Sequence, residues 1–276
     1  MRNEILILGK GYFSSRLHEE LGLPVSERRI LSLDDAEDEV KKQRPRVLIN
    51  CIGYIGRNVD DCELDKQKAL FANTFVPIIL GEVCLRHQVR LVHISTGCIY
   101  HYDYAKDPPI DEEKEPDFFE LYYSRTKIYA EQALRALSKK CHILILRPRV
   151  PLDNRPTPKN LLTKLLKTRR VINLANSSSY MPDFARAAGH LINIGARGIY
   201  NVVNKNPLFY PDLMEAYKKY VPGLEYEVID FNELNLIRTN NVLSVDKLES
   251  TGFKVRDIKD VLEECVTGYL KKEKNR

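Results

Sequence analysis

An apolar run, Ile5-Leu6-Ile7-Leu8, stops at Gly9-Lys10-Gly11-Tyr12-Phe13-Ser14 and gives way to a helical segment over Ser15 to Leu21. Few folds accept a strand that breaks at two closely spaced glycines and turns at once into a helix. The first glycine permits the tight turn, and the second lets the backbone approach a pyrophosphate, which then lies at the positive helix end. Ser14 stands where a third glycine would normally bring the helix close to the strand, and it is small enough to do so. The pattern predicts the first unit of a dinucleotide-binding fold, with Gly9, Gly11, Tyr12 and Phe13 as candidate cofactor contacts.

Further apolar runs occur at Val47-Leu48-Ile49-Asn50-Cys51-Ile52, at Val89 to Ile94 and at Ile143-Leu144-Ile145-Leu146, each preceded by a helical segment. Buried strands alternating with helices predict a Rossmann-like α/β class, a doubly wound parallel sheet with right-handed crossovers. Thr96 and Cys98 then fall just beyond the carboxyl end of a strand, where such sheets bind ligands. After Pro151 the pattern changes to proline-rich loops, helices and short strands at Val171 to Leu174, Gly198 to Val203 and Tyr226 to Asp230. The expected organisation is a dinucleotide-binding core over 1–150. A smaller C-terminal substrate-binding lobe over 151–276 is expected to be interleaved with returns to the core sheet. There is no internal repeat or low-complexity segment.

Tyr123 and Lys127 are four residues apart, so on a helix they share a face. A tyrosine hydroxyl, with an ordinary pKa near ~10, becomes a useful proton donor when a neighbouring ammonium lowers that value. The same spacing also arises on a surface helix with an incidental Tyr and Lys, so the pair takes its meaning from the rest of the chain.

The composition is that of an ordinary globular protein, 43% apolar and 29% charged. A net charge of +5 would suit anionic ligands such as dinucleotides or nucleotide sugars, yet the basic residues are scattered among 38 acidic ones. That dispersal argues against a nucleic-acid partner. The basic run at 271–276 reads as a solvated helix end. No stretch approaches the ~18 apolar residues of a membrane span, and a strand pattern stands where a signal peptide would be, so a cytoplasmic protein with no membrane partner is expected. The six cysteines, at 51, 62, 84, 98, 141 and 265, lack metal-type spacing and are expected to be free thiols with no metal.

With the glycine-rich turn, Thr96, Tyr123 and Lys127 in order on the right elements, the chain resembles the extended short-chain dehydrogenase/reductase superfamily. Within it the chain is similar to the 4-keto-6-deoxy-sugar reductases that make activated rhamnose. It is most similar to the bifunctional 3,5-epimerase/4-reductases of plant-type UDP-rhamnose synthesis. Matching segments run nearly end to end: Gly53 to Glu63, Asn73, Ser95-Thr96-Gly97-Cys98-Ile99-Tyr100, Arg147-Pro148-Arg149-Val150-Pro151, Lys159 to Lys164, Asn176-Ser177 and Arg238-Thr239-Asn240-Asn241. The glycine-rich loop departs from the family form, being one residue shorter and ending in Ser14.

The resemblance implies a reductase triad of Thr96, Tyr123 and Lys127, with Lys127 also on the nicotinamide ribose, and places Cys98 and Lys164 at the epimerase positions. It implies substrate contacts from Arg57, Asn73, Arg149, Asn176, Arg238 and Asn241, with Arg147 a further diphosphate candidate; any one of these arginines could instead serve a structural ion pair. Arg29 falls at a 2′-phosphate position, which favours NADPH. Ser26-Glu27-Arg28-Arg29 carries both signs of charge, so NADH stays possible. A ketone at C4 of the sugar acidifies the hydrogens at C3 and C5, so inversion there must precede reduction.

The implied substrate is a UDP-linked 4-keto-6-deoxy sugar supplied by a separate 4,6-dehydratase, and a homodimer is implied as well. Two other readings stay open. One is a 4-reductase with no or C3-only epimerase activity, possibly on an N-acetylated sugar. The other is a non-catalytic dinucleotide-binding regulatory subunit, like that of methionine adenosyltransferase.

Overall fold

The structure, a computed structural model, describes residues 4–234 and 236–274. In chain order its first elements are β1 (Ile5–Leu8), α1 (Tyr12–Leu21), α2 (Leu33–Gln43), β2 (Val47–Asn50), α3 (Asp61–Leu64), α4 (Lys66–Leu70), a π-helical turn (Phe71–Phe75), α5 (Val76–His87), β3 (Arg90–Ile94), α6 (Tyr122–Leu137) and β4 (Ile143–Arg147). There follow β5 (Pro151–Leu152), α7 (Leu161–Thr168), β6 (Arg170–Ile172), β7 (Ser179–Tyr180), α8 (Met181–Asn193), β8 (Gly198–Asn201), α9 (Tyr210–Lys218), β9 (Glu227–Ile229), a 3-10 turn (Phe231–Leu234), α10 (Asp246–Glu249) and α11 (Ile258–Glu273).

The chain forms two compact units. One comprises the described residues up to Ile99 with Pro116–Arg147 and Ala185–Tyr200, and the other comprises Tyr100–Glu115, Pro148–Phe184 and the described residues from Asn201 onward. The first unit therefore differs from a core over 1–150 by lacking 100–115 and 148–150 and by including 185–200. Segment 100–115 is held in the second unit by backbone pairing: Ile110 N donates to Val242 O at 2.8 Å and Ser244 N to Ile110 O at 2.8 Å.

The first unit is built on a five-stranded sheet in the order β1-β2-β3-β4-β8. Its first three ladders are parallel, with Ile5 opposite Val47, Val47 opposite Arg90 and Leu91 opposite Ile143. Nearly every residue of β1 to β4 is buried, which is why these strands read as continuous apolar runs instead of alternating ones. Between α1 and α2 the chain makes a single parallel bridge of Val25 to Ile7 on the free side of β1, closed by Ile7 N to Pro24 O and Ser26 N to Ile7 O. The chain thus leaves β1 on one side and returns on the other at β2. Such a reversal opens a crevice beyond the carboxyl ends of the two strands, the place where open α/β sheets take ligands.

The helical rod Lys66–His87 packs its apolar face on the sheet, burying Val76, Leu80, Val83 and Cys84 in the same cluster as Leu48, Leu91 and Ile143. By length and composition the rod would also satisfy a membrane span, which the sequence expectation overlooked; half of its most apolar window is buried inside the protein. Its π-helical turn has a local cause. Pro77 has no N–H for the carbonyl of Asn73, one α-helical turn earlier, and the register widens so that Val76 N donates to Phe71 O.

The second unit carries two short parallel pairs, β5 with β7 and β6 with β9. Its core gathers Leu152, Leu162 and Leu165 with Leu213 and Met214 of α9 and Ile258, Val261, Cys265 and Val266 of α11. The basic tail continues α11 to Glu273, and Asn275 and Arg276 lie outside the described residues.

Candidate active site

At the crevice, Gly9 has φ +104°, and a Cβ there would lie 3.0 Å from Cys51 C and from Ile52 N. The close crossing of the β1 and β2 ends therefore demands glycine. Gly11 is different: its φ is −88°, and a Cβ would meet only Cys51 O, at 4.0 Å. Gly11 is the N-cap of α1, which starts at Tyr12, three residues earlier than expected. No side chain caps this end and the first turn holds no acidic residue. A bare, uncapped helix start with Tyr12 and Phe13 as its first two residues fits an anionic pyrophosphate.

The charges near Val25 sort themselves by pairing. Glu27 pairs with Lys10, and Arg28 lies 2.9 Å from Asp35 and 3.3 Å from Asp38. Arg29 is exposed and has no ion-pair partner among the described residues.

Beyond β3, Thr96 is buried and accepts a hydrogen bond from Cys98 N at 3.1 Å, which turns the chain so that Ser124 Oγ reaches Cys98 O at 2.6 Å. Tyr123 lies in the first turn of α6, buried against Cys62 with Tyr54 and Cys98 around it. The Thr96 hydroxyl lies near enough to the Tyr123 phenol to pull its pKa down. Thr96, Cys98, Tyr123 and Lys127 therefore occupy one neighbourhood.

The electrostatics correct one expectation. The Tyr123 pKa is pushed up, by burial first and by Cys98 next, against the pull of the Thr96 hydroxyl. Burial outweighs any lowering by Lys127, whose own value falls to about 8 because burial penalises its charge, with Glu131 opposing. A phenol with a raised pKa is fully protonated at neutral pH and so holds the proton that reduction of a ketone consumes. Lys127 is 5% exposed and donates to Ile94 O at 3.0 Å.

Asn73 and Arg57 play visible local roles. Asn73 Oδ1 accepts from Tyr54 N at 2.7 Å, while its Nδ2 donates to Tyr54 O at 2.9 Å and to Thr126 Oγ1 at 3.1 Å. Arg57, its side chain 86% exposed, pairs with Asp61 at 3.1 Å. Arg147, a diphosphate candidate, is instead buried in an ion pair with Glu131.

In the second unit Arg149, Asn176 and Asn241 are all buried. Arg149 Nε donates to Asn176 Oδ1 at 2.7 Å and its Nη1 to Thr239 Oγ1 at 3.0 Å, while Asn176 Nδ2 reaches Tyr210 Oη at 3.0 Å and Asn240 Oδ1 at 2.8 Å. Asn241 O accepts from Ser177 N. Arg238 is half-buried and donates to Ile237 O. Lys164 is exposed on α7, whose Leu161, Leu162 and Leu165 are buried.

The residues that sequence reasoning missed are Ser95, Glu131, Asn50 and His93, all buried beside Lys127 or Thr96. Glu131 had a signal: it repeats the four-residue step from Tyr123 to Lys127 along α6.

A doubly wound α/β core with a threonine, a tyrosine and a lysine gathered beyond its strands defines a protein of the extended short-chain dehydrogenase/reductase type. The family described as RmlD substrate binding domain matches residues 12–197, and the chain belongs to it. It is 28% identical over 276 residues to a trifunctional UDP-glucose 4,6-dehydratase/UDP-4-keto-6-deoxy-D-glucose 3,5-epimerase/UDP-4-keto-L-rhamnose-reductase of Arabidopsis thaliana, covering 94% of this chain and 41% of that one. The chain thus spans about two-fifths of that relative's length. A bifunctional dTDP-4-dehydrorhamnose 3,5-epimerase/dTDP-4-dehydrorhamnose reductase of Arabidopsis thaliana is 27% identical over 235 residues, 81% of this chain and 77% of the relative. Among solved structures, the UDP-rhamnose synthase of Acanthamoeba polyphaga mimivirus superposes with a TM-score of 0.87 at 23% identity, covering 96% of this chain and 98% of that one. A dTDP-4-dehydrorhamnose reductase from Bacillus anthracis in complex with NADP gives 0.81 at 18%, covering 95% and 98%.

Proposed function

We propose that this chain is an NADPH-dependent nucleotide-sugar 4-reductase that also inverts C3 and C5, turning UDP-4-keto-6-deoxy-glucose into UDP-L-rhamnose. The observation that carries the reading is the buried Thr96–Tyr123 hydroxyl pair beside Lys127 at the sheet's carboxyl edge. NADPH would supply the hydride to C4. Gly9, Gly11, Tyr12 and Phe13 would hold its pyrophosphate, and Arg29 its 2′-phosphate. The protonated Tyr123 delivers its proton to the developing alkoxide at C4, and Thr96 steadies the same oxygen. Lys127, charged below about pH 8, favours that oxyanion and is the candidate partner of the nicotinamide ribose.

For the epimerase step, Cys98 lies beside Tyr123 and would exchange a ring proton on one face of the sugar, with Lys164 acting on the other. Arg149, Asn176, Arg238 and Asn241 would bind the nucleotide diphosphate, and Arg57 and Asn73 would complete the substrate contacts. A separate 4,6-dehydratase would supply the keto sugar, a homodimer would be the assembly, and the cytoplasm the location.

The test is to give the protein freshly made UDP-4-keto-6-deoxy-glucose with NADPH, follow the nicotinamide absorbance and identify the product by NMR. Oxidation with a rhamno-configured product supports the whole reading. An uninverted or singly inverted product leaves a reductase and removes Cys98 or Lys164 from the mechanism, and no oxidation of this or any related keto sugar sinks the reading. Arg29→Ala should weaken NADPH binding about tenfold or more while sparing NADH.

A further inference from the structure

Glu131 lies on α6 one turn beyond Lys127 and two beyond Tyr123, so the three side chains stack along one helix face. Its carboxylate is held from two other elements. Ser95 Oγ donates to Oε1; Arg147 Nε reaches both oxygens at 3.1 Å and Arg147 Nη2 reaches Oε2 at 2.5 Å. Both partners end a strand: Ser95 follows β3 and immediately precedes Thr96, and Arg147 is the last residue of β4. The side chains of Arg147 and Glu131 are 1% and 2% exposed. A buried pair of this kind is a weak source of net stability, because desolvation offsets most of its attraction. What it does provide is a fixed position for a charge.

The groups around Lys127 show why that charge matters. Cys51 after β2 and Cys62 on α3 have thiols pushed up to about 12 by burial, so both are neutral at pH 7. His93 on β3 is held neutral by burial and then by Lys127 itself, and its Nδ1 faces Asn50 at 3.1 Å. Tyr123 stays protonated, and Arg147 is a second cation. Among the described groups acting on Lys127, Glu131 is the one carboxyl group.

We propose that Glu131 is a positioning residue of the Thr96–Tyr123–Lys127 site: its carboxylate fastens α6 to the ends of β3 and β4 and supplies the fixed negative charge that keeps the buried Lys127 ammonium ionised. The inference rests on the reductase reading only for the use made of that ammonium. Arg147 and Ser95 aim the carboxylate, and the Ser95 bond ties the Thr96 peptide to the helix that carries Tyr123.

The test reads Lys127 directly. In protein labelled at the lysine ε-carbon, the Lys127 resonance, assigned by its loss in Lys127→Arg, should titrate near pH 8. In Glu131→Gln, which retains an amide for Ser95 but loses the charge, the midpoint should fall by about one unit or more. Glu131→Asp, which keeps the charge, should stay within about half a unit of the parent. Should Glu131→Gln fail to fold around an unpaired guanidinium, the carboxylate is removed in an Arg147→Gln background instead, and the midpoint should be lower in Glu131→Gln with Arg147→Gln than in Arg147→Gln alone.

A midpoint that does not move in the folded variants overturns the proposal. The alkaline limb of kcat for keto-sugar reduction should move with the resonance. A resonance that shifts while that limb stays fixed upholds the positioning of Lys127 and refutes its use in reduction, so the two readings fail separately.

Discussion

Asn73 closes both backbone polar groups of one residue: its carboxamide accepts from the N–H of Tyr54 and donates to the carbonyl of the same residue. The rod that carries Asn73 and the loop after β2 are thereby locked together beside Lys127 Nζ, which would sit 3.7 Å from a Cβ on Gly53. Replacing the amide leaves Tyr54 N without its acceptor and Tyr54 O with only the weak Cys62 thiol donor at 3.4 Å. Asn73→Leu should therefore lose about 2 kcal/mol of stability in urea denaturation, since each stranded group costs about 1–3 kcal/mol when buried and less where water reaches it. An unchanged midpoint would leave Asn73 a ligand contact alone.

Tyr123→Phe removes the proton donor while keeping the ring that packs on Cys62 and Cys98. Reduction of the keto sugar should fall by roughly 100-fold to 10,000-fold in kcat, with NADPH affinity nearly constant. Thr96→Val should show a smaller loss of about 10-fold to 100-fold. Single-turnover kinetics with NADPH titrations separate the two effects, and a Tyr123→Phe enzyme of normal rate would eliminate the mechanism.

The two glycines of the first turn should respond in opposite ways. Gly9→Ala forces a Cβ to 3.0 Å from backbone atoms at φ +104° and should destabilise the fold by about 1–3 kcal/mol. Gly11→Ala meets nothing closer than 4.0 Å, so it should cost only the N-cap preference for Gly over Ala, about 1 kcal/mol or less. Its added methyl nevertheless fills the space over the α1 start, and NADPH binding should weaken about tenfold or more. Equal melting for both variants, or unchanged NADPH affinity in Gly11→Ala, contradicts this account.

The burial of Lys127 shapes stability against pH. Its pKa is about 8 in the folded chain against an ordinary 10.5, so in that window the unfolded chain holds a proton that the folded chain has released. Stability must then rise with pH from about 8 to 10.5, and below 8 the native state carries the full penalty. Lys127→Met should remove this slope and stabilise the protein at pH 7 by up to about 3 kcal/mol, while abolishing reduction. Parallel stability curves for the two proteins between pH 7 and 10.5 would refute the shift.

The four buried strands and the glycine-rich turn were legible because their signals are local: a run of Val, Leu and Ile, then a break. Thr96, Tyr123 and Lys127 were legible through order and spacing. The strand after α1 was legible only as a charged segment, because one bridge at Val25 leaves no periodicity. Segment 100–115 carries no mark of its pairing with residues 242 and 244, which is a long-range register. The direction of the Tyr123 shift was misjudged because spacing reports a neighbour's charge but not the depth of burial, and here depth prevails. Glu131 escaped notice because its partners, Ser95 and Arg147, arrive from two other strands.

The widened turn at Phe71–Phe75 also sets a rule for sequence change in the rod. A π-helical turn holds one residue more than the α-helical turn it replaces, and each α-helical residue subtends about 100° of rotation. Deleting a single residue from Phe71–Phe75 should therefore return the rod to an α-helical turn with Val76, Leu80 and Val83 still on the sheet, whereas a deletion further along α5 would turn every later side chain by that angle. Of the whole rod, this is the stretch that can give up a residue without losing its packed face.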